Sequence, residues 1–264
     1  MIPIDDTPLC RDGKVLILAY DHGLEHGPVD FEEVPESADP RRIFEAATHP
    51  AVTSVAVQKG LAEAYYPSYE ESVSLLAKLN GTSNLWMGEP DSSVNCSVEY
   101  AAELGASSVG FTLYGGSNNE IEMAEEFRDA HEAAREHELP VVMWSYPRGQ
   151  GLKNDTKPST ISYAARLALE LGADVAKVKH PGSRSAMEEA VRMAGKTKVV
   201  MSGGSKRSDR AFLRSVKETI DAGGNGLAVG RNVWQRENPE RILDALEAVI
   251  FEEATVDEAL AAAE

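Results

Sequence analysis

The residue with the most chemistry in this sequence is a lysine inside an apolar, β-type run. Lys177 lies in Ala173-Asp174-Val175-Ala176-Lys177-Val178-Lys179. A charged amine facing the interior of a buried strand is costly unless it is paired or neutral. The same burial lowers its pKa and turns it into a nucleophile of the Schiff-base kind. Bringing a lysine from ~10.4 to near 7 takes roughly 4–5 kcal/mol. Apolar surroundings supply much of that, and a second ammonium at Lys179, which has the same parity, would add to it. Parity alone leaves open which of the two is the nucleophile. Lysines at strand ends also snorkel to solvent with no role at all, so the reading rests on what surrounds them.

The elements that must hold such an amine recur along the whole chain. Apolar runs at Val15–Asp21, Thr53–Gln58, Leu75–Leu79, Ser108–Leu113, Pro140–Tyr146, Asp174–Lys179, Lys198–Ser202 and Leu227–Gly230 predict eight strands. Amphipathic stretches between them, at Ile121–His137, Ser159–Leu171, Ser185–Ala194 and Asp209–Ala222, predict helices. Eight βα units of about 30 residues with no break in composition argue for one closed parallel barrel, a single (β/α)8 TIM-barrel domain over residues 1–264. The segment 252–264 reads as a short acidic Ala/Glu helix or a frayed tail. A doubly wound sheet would need a glycine fingerprint after its first strand, and Asp21-His22-Gly23 is not one.

In such a barrel the active site forms at the C-terminal ends of the strands. Trp144, Tyr146 and, if the strand runs on, Arg148 share one face of strand five. A phenol has a pKa of ~10 and is a poor base at neutral pH unless a nearby ammonium or iminium lowers it. Asp21 shares the inward parity of Ile17 and Ala19, placing a carboxylate where it orients an ammonium or accepts a proton. Strand seven runs into Ser202-Gly203-Gly204, and strand eight into Gly230-Arg231. Glycine-rich turns after the last two barrel strands let backbone N–H groups approach a phosphate, although either turn alone is also an ordinary tight βα connection. His22, Glu25 and His26 form a competing cluster that resembles zinc ligands.

Composition narrows the partners. Forty-three Asp and Glu stand against 26 Lys and Arg, a net charge of −17. That surface disfavours nucleic acid, whose binding relies on cations that neutralise phosphates, and it fits adaptation to high salt. No apolar run approaches the ~20 residues of a membrane span, and Met1-Ile2-Pro3-Ile4-Asp5-Asp6 shows no secretory signal. Cys10 and Cys96 are too few for a disulfide framework, so a reduced cytoplasm is the expected location.

With these motifs in place, the chain resembles the archaeal-type class I fructose-1,6-bisphosphate aldolases over nearly its full length. The resemblance is carried by Asp21-His22-Gly23-Leu24-Glu25-His26-Gly27-Pro28, Trp144-Ser145-Tyr146-Pro147-Arg148-Gly149, Ala173-Asp174-Val175-Ala176-Lys177, Ser202-Gly203-Gly204 and Gly230-Arg231. It implies that Lys177, not Lys179, is the Schiff-base lysine and that Tyr146 is the general acid/base. Asp21 and His22 fall on the family's Asp-His pair, and Trp144 and Arg148 on its substrate contacts. Ser202, Gly203, Gly204, Gly230 and Arg231 fall on its phosphate site. The implied enzyme needs no metal or organic cofactor, acts on a phosphorylated sugar and forms a homo-oligomer. One departure is the loop His180-Pro181-Gly182-Ser183, where the family commonly continues toward Thr-Gly-Asp. The related 2-amino-3,7-dideoxy-D-threo-hept-6-ulosonate synthases, which perform a transaldol step in aromatic amino acid synthesis, are therefore the alternative. A zinc-dependent aldolase and a non-catalytic phosphosugar-binding barrel are the readings from other classes.

Overall fold

The computed structural model describes residues 2–263; Met1 and Glu264, the ends of the expected domain and tail, lie outside them. Eight parallel strands close in sequence order into one barrel. They are β1 (Val15–Ala19), β2 (Ser54–Gln58), β3 (Leu75–Lys78), β4 (Ser108–Leu113), β5 (Val141–Ser145), β6 (Val175–Val178), β7 (Lys198–Ser202) and β8 (Gly226–Val229). Closure comes from β1 pairing with β8, with Val15 opposite Gly226 and Leu18 opposite Val229. Helices lie between the strands, as the (β/α)8 TIM barrel requires.

The strands read as continuous apolar runs because both faces are covered. Along β1 the alternation splits them cleanly. Val15, Ile17 and Ala19 enter the barrel interior with Leu76, Val142, Trp144, Val175 and Val200. Leu16 and Leu18 instead pack outward beneath the helices. The helices show the complementary 3.6-residue stripe: on Asp209–Asp221, Phe212, Leu213, Ser215, Val216 and Thr219 are the buried positions.

Local signals place the helix starts. Ser97 and Ser183 accept hydrogen bonds from the backbone N–H three residues on, satisfying donors that have no partner within the helix. Proline opens Pro40–Ala47, Pro158–Glu170 and Pro239–Phe251, where its missing N–H costs nothing. The tail forms a helix at Val256–Ala262, started by a capping box between Thr255 and Glu258 and seated by buried Ala259. No helix among the described residues is long and apolar enough to cross a membrane.

Several strands end earlier than the apolar runs suggest. Asp21, Tyr146 and Lys179 lie just beyond β1, β5 and β6, within the usual ambiguity of strand termini. Parity nevertheless carries through the first two ends. The Tyr20 N–H still donates to Ala56 at 2.8 Å and the Tyr146 N–H to Leu113 at 3.0 Å.

Candidate active site

At the C-terminal mouth of the barrel a cavity of about 100 Å³ gathers residues from β1, β5, β6, β7 and β8. Asp21, His22, Trp144, Tyr146, Arg148, Lys177, Ser202, Gly203, Gly204, Gly230 and Arg231 all line it. Residues more than 200 positions apart in sequence thus share one small volume.

Lys177 occupies the middle of this group. It stands beside Trp144 in the β5–β6 ladder, is only 4% exposed, and holds its Nζ 4.3 Å from the Trp144 ring centroid and 5.9 Å from that of Tyr146. Among the described residues Lys177 makes no side-chain hydrogen bond, so its nitrogen faces the cavity without a bound acceptor. Burial brings its pKa down to about 8, with the carboxylates of Asp21 and Glu25 holding it up and the ammonium of Lys78 pushing it further down. That displacement favours the neutral amine by ~3 kcal/mol and leaves about a tenth of it unprotonated at pH 7. The descent stops short of the 7 expected from burial alone because two carboxylates lie within electrostatic reach.

The second cation is not Lys179. That side chain sits past the end of β6, where Asp155 takes up its charge in an ion pair. Lys78 has the tuning position instead. It lies on β3 with the inward parity of Leu76 and is fully buried. Its Nζ donates to the Asn80 carbonyl at 2.7 Å and to Asn80 Oδ1 at 3.0 Å, with Glu25 Oε1 at 3.7 Å. Asn80 takes two of its donors and the Glu25 carboxylate lies at ion-pair distance, while burial lowers the Lys78 pKa against the pull of Glu25 and Asp21. Lys78, like Lys177, is a lysine of inward parity within an apolar run.

Asp21 and Glu25 divide. Burial works to raise the Asp21 carboxyl, but Lys177, His22 and Lys78 together outweigh it and hold it below its usual range. Glu25 goes the other way, raised by burial and by the Asp21 charge beyond what Lys78 offsets. Such opposed carboxyls are the pattern of a site that both holds and moves protons.

Two expectations need correction. The Tyr146 phenol is not lowered in the resting site; burial, with Asp21 and Glu25 close by, drives it well above 10, and the opposing influence of Ser202 and Arg148 does not compensate. Tyr146 therefore begins as a proton-bearing phenol. The His22, Glu25 and His26 cluster does not converge on a common point. His26 Nδ1 bonds Asp30 at 2.6 Å, Glu25 faces Lys78, and no three such side chains among the described residues are arranged to hold a metal ion.

His22 is desolvated to a pKa of about 4 despite Asp21 3.5 Å away. It is a neutral imidazole packed edge-on against Trp234, with ring centroids 5.4 Å apart. Gly230 permits that packing, since a Cβ there would meet His22 Cε1 at 2.3 Å. Arg231 lies 3.7 Å from Asp30 and keeps a buried Nε without a partner among the described residues. Arg148 stacks over the Tyr114 ring at 5.0 Å, which holds its guanidinium at the cavity wall.

Comparison with known proteins agrees with this geometry. A fructose-bisphosphate aldolase class 1 of Halobacterium salinarum is 74% identical over 260 residues, spanning 98% of this chain and 99% of that protein. One of the same description from Thermoproteus tenax is 48% identical over 91% of each. An archaeal fructose-1,6-bisphosphate aldolase, solved with its catalytic lysine covalently bound to the carbinolamine intermediate of the substrate, superposes with a TM-score of 0.87 at 48% identity. The match covers 90% of this chain and 94% of that one. A fructose-bisphosphate aldolase from Slackia heliotrinireducens gives 0.89 at 32% identity, covering 95% and 85%. Residues 15–236, from the first strand of the barrel to just past the last, match the model of one family, and the chain belongs to it: the DeoC/LacD family of aldolases.

Proposed function

We propose that this chain reversibly cleaves fructose 1,6-bisphosphate to dihydroxyacetone phosphate and glyceraldehyde 3-phosphate through a Schiff base on Lys177. The observation that carries the reading is the Lys177 amine, buried, brought down to about 8 and facing a cavity shared with Tyr146, Asp21 and two glycine-rich turns. The names of the relatives favour this reaction over the heptulosonate synthase alternative.

Neutral Lys177 attacks the C2 ketone and forms a carbinolamine. Asp21, held ionised beside the ammoniums, orients Lys177 and relays protons as water leaves. The resulting iminium draws the electron pair of the C3–C4 bond toward nitrogen. Tyr146 now faces a cation that no deprotonation of Lys177 can remove, so the phenol falls from its raised resting value and gives its proton to solvent water. As phenolate it takes the C4 hydroxyl proton, and glyceraldehyde 3-phosphate departs. Tyr146 then returns a proton to C3 of the enamine, and water releases dihydroxyacetone phosphate with the free amine.

His22, neutral and wedged between Asp21 and Trp234, fixes the Asp21 side of the cavity. Trp144 and Arg148 contact the sugar. The Ser202–Gly204 turn, Gly230 and Arg231 grip one phosphate and so place the carbonyl against the amine. A single catalytic domain and a cytoplasmic location complete the reading, together with assembly with further copies of the chain, which is carried from the family resemblance.

Because the protein supplies its own electron sink, triose phosphate release from fructose 1,6-bisphosphate proceeds at the same rate in excess chelator. Loss of activity in the chelator would contradict the mechanism. The pH dependence follows from the sign of the Lys177 shift. Only the unprotonated amine attacks, so the rate of imine formation rises with pH and levels off with a midpoint near 8. A rapid-quench pH series measures it, and a midpoint above 10 would show an amine the site does not tune.

A further inference from the structure

Beside the cavity, Asn232 is a group to which the mechanism gives no work and the structure gives four side-chain hydrogen bonds. It follows Arg231 after β8 and is fully buried. Its Nδ2 reaches three carbonyls of the turn after β7: Gly203 at 2.9 Å, Gly204 at 3.4 Å and Ser205 at 2.9 Å. Its Oδ1 accepts from the Arg207 N–H at 2.9 Å. One side-chain amide thereby holds both ends of a five-residue stretch.

In a trans peptide the C=O and the following N–H point in opposite directions. Gathering the carbonyls of 203, 204 and 205 on one amide therefore turns the N–H groups of Gly204, Ser205 and Lys206 away from it. The Gly203 N–H is already committed to Ala228 at 3.2 Å. Those of Gly204, Ser205 and Lys206 donate no hydrogen bond among the described residues. Gly204 has φ +68°, the left-handed step that lets successive N–H groups converge into an anion-binding concavity. Ser202, Gly203 and Gly204 line the same cavity as Lys177.

We infer that Asn232 is a positioning residue for the reaction: it folds the 203–206 turn into a preformed cradle for the phosphate of the ketone donor, without touching substrate itself. The inference rests on the reading of this turn as the phosphate site and adds the residue that builds it. The recognised chemistry is a phosphate monoester dianion. Without Asn232 the three carbonyls lose their common donor, the turn samples other conformers, and phosphate binding has to order it again.

The test compares two donors in borohydride trapping on the full-length protein, dihydroxyacetone phosphate and unphosphorylated dihydroxyacetone. Asn232→Ala is expected to raise the half-saturating concentration of dihydroxyacetone phosphate about tenfold or more, the loss of at least one charge-assisted hydrogen bond. The half-saturating concentration and maximal trapping rate for dihydroxyacetone stay within about twofold, because the Lys177 end of the cavity is untouched. Gly204→Ala serves as a second variant that leaves the core intact. It meets open space and only backbone strain, and shows the same donor-specific loss. Equal losses for both donors, or no loss for either, would overturn the role of Asn232. A native protein that binds both donors equally would instead overturn the phosphate reading beneath it.

Discussion

Lys177→Met eliminates the borohydride-trapped adduct and lowers cleavage of fructose 1,6-bisphosphate by at least about 10⁴-fold, the scale on which covalent catalysts lose their nucleophile. Methionine nearly keeps the volume of the side chain, so the Trp144 ring retains a neighbour and the barrel interior no cavity. Two other lysines lie near the site, and neither can take over. Lys78 is fully buried below the cavity with its donors committed to Asn80 and its charge to Glu25. Lys179 lies past the end of β6 with its Nζ paired to the Asp155 carboxylate. Peptide mapping of the trapped native protein therefore places the label on Lys177. A labelled Lys179, or trapping that persists in Lys177→Met, would refute the assignment.

Tyr146→Phe produces the second large effect, and a different one. Imine formation with dihydroxyacetone phosphate continues at a rate within a few-fold of native, whereas cleavage falls by about 10²–10⁴, the usual worth of a positioned general acid/base. The ring stays, so packing against the barrel interior is conserved. Only the hydroxyl is lost. The separation is expected because the resting phenol lies well above 10 and becomes a base only after the iminium exists. Single-turnover measurements resolve the two steps. A variant with near-native cleavage would remove Tyr146 from proton transfer, and one that fails to form imine would assign the tyrosine to the earlier step.

The inward parity of Lys177 and Tyr146 was legible in the sequence because barrel strands alternate strictly, whereas the choice of Lys177 over Lys179 came from the family resemblance. Once Ile17 and Ala19 are inside, so is Asp21; once Val142 is, so are Trp144 and Tyr146. The eight strands were legible because their runs, covered on both faces, are apolar without interruption. The alternation says nothing of distance, and that is where the reading stopped. Lys78 has the same inward parity as Lys177, and what gives it a role, its approach to Glu25 from another strand end, is a distance that parity does not supply. The upward shift of Tyr146 comes first from burial and then from two carboxylates, one of them on a four-residue helix, His22–Glu25, inside a segment whose flanking glycines resemble a loop. Asn232 acts on carbonyls 27 to 29 residues earlier in the chain, a relation no local pattern records. The −17 charge belongs to the exposed helix faces rather than the site, and it accompanies 74% identity to a protein of Halobacterium salinarum.

The measurement that tests the central claim most directly is the intact mass of the protein after borohydride treatment with each of two ketone donors. One is fructose 1,6-bisphosphate, and the other is 6-deoxy-5-ketofructose 1-phosphate. The expected result is a triose-phosphate adduct on Lys177 from the bisphosphate, with glyceraldehyde 3-phosphate released in step. Trapping confined to the deoxyketo sugar would move the chain to the heptulosonate synthase reaction, and no adduct from either donor would contradict the Schiff base itself.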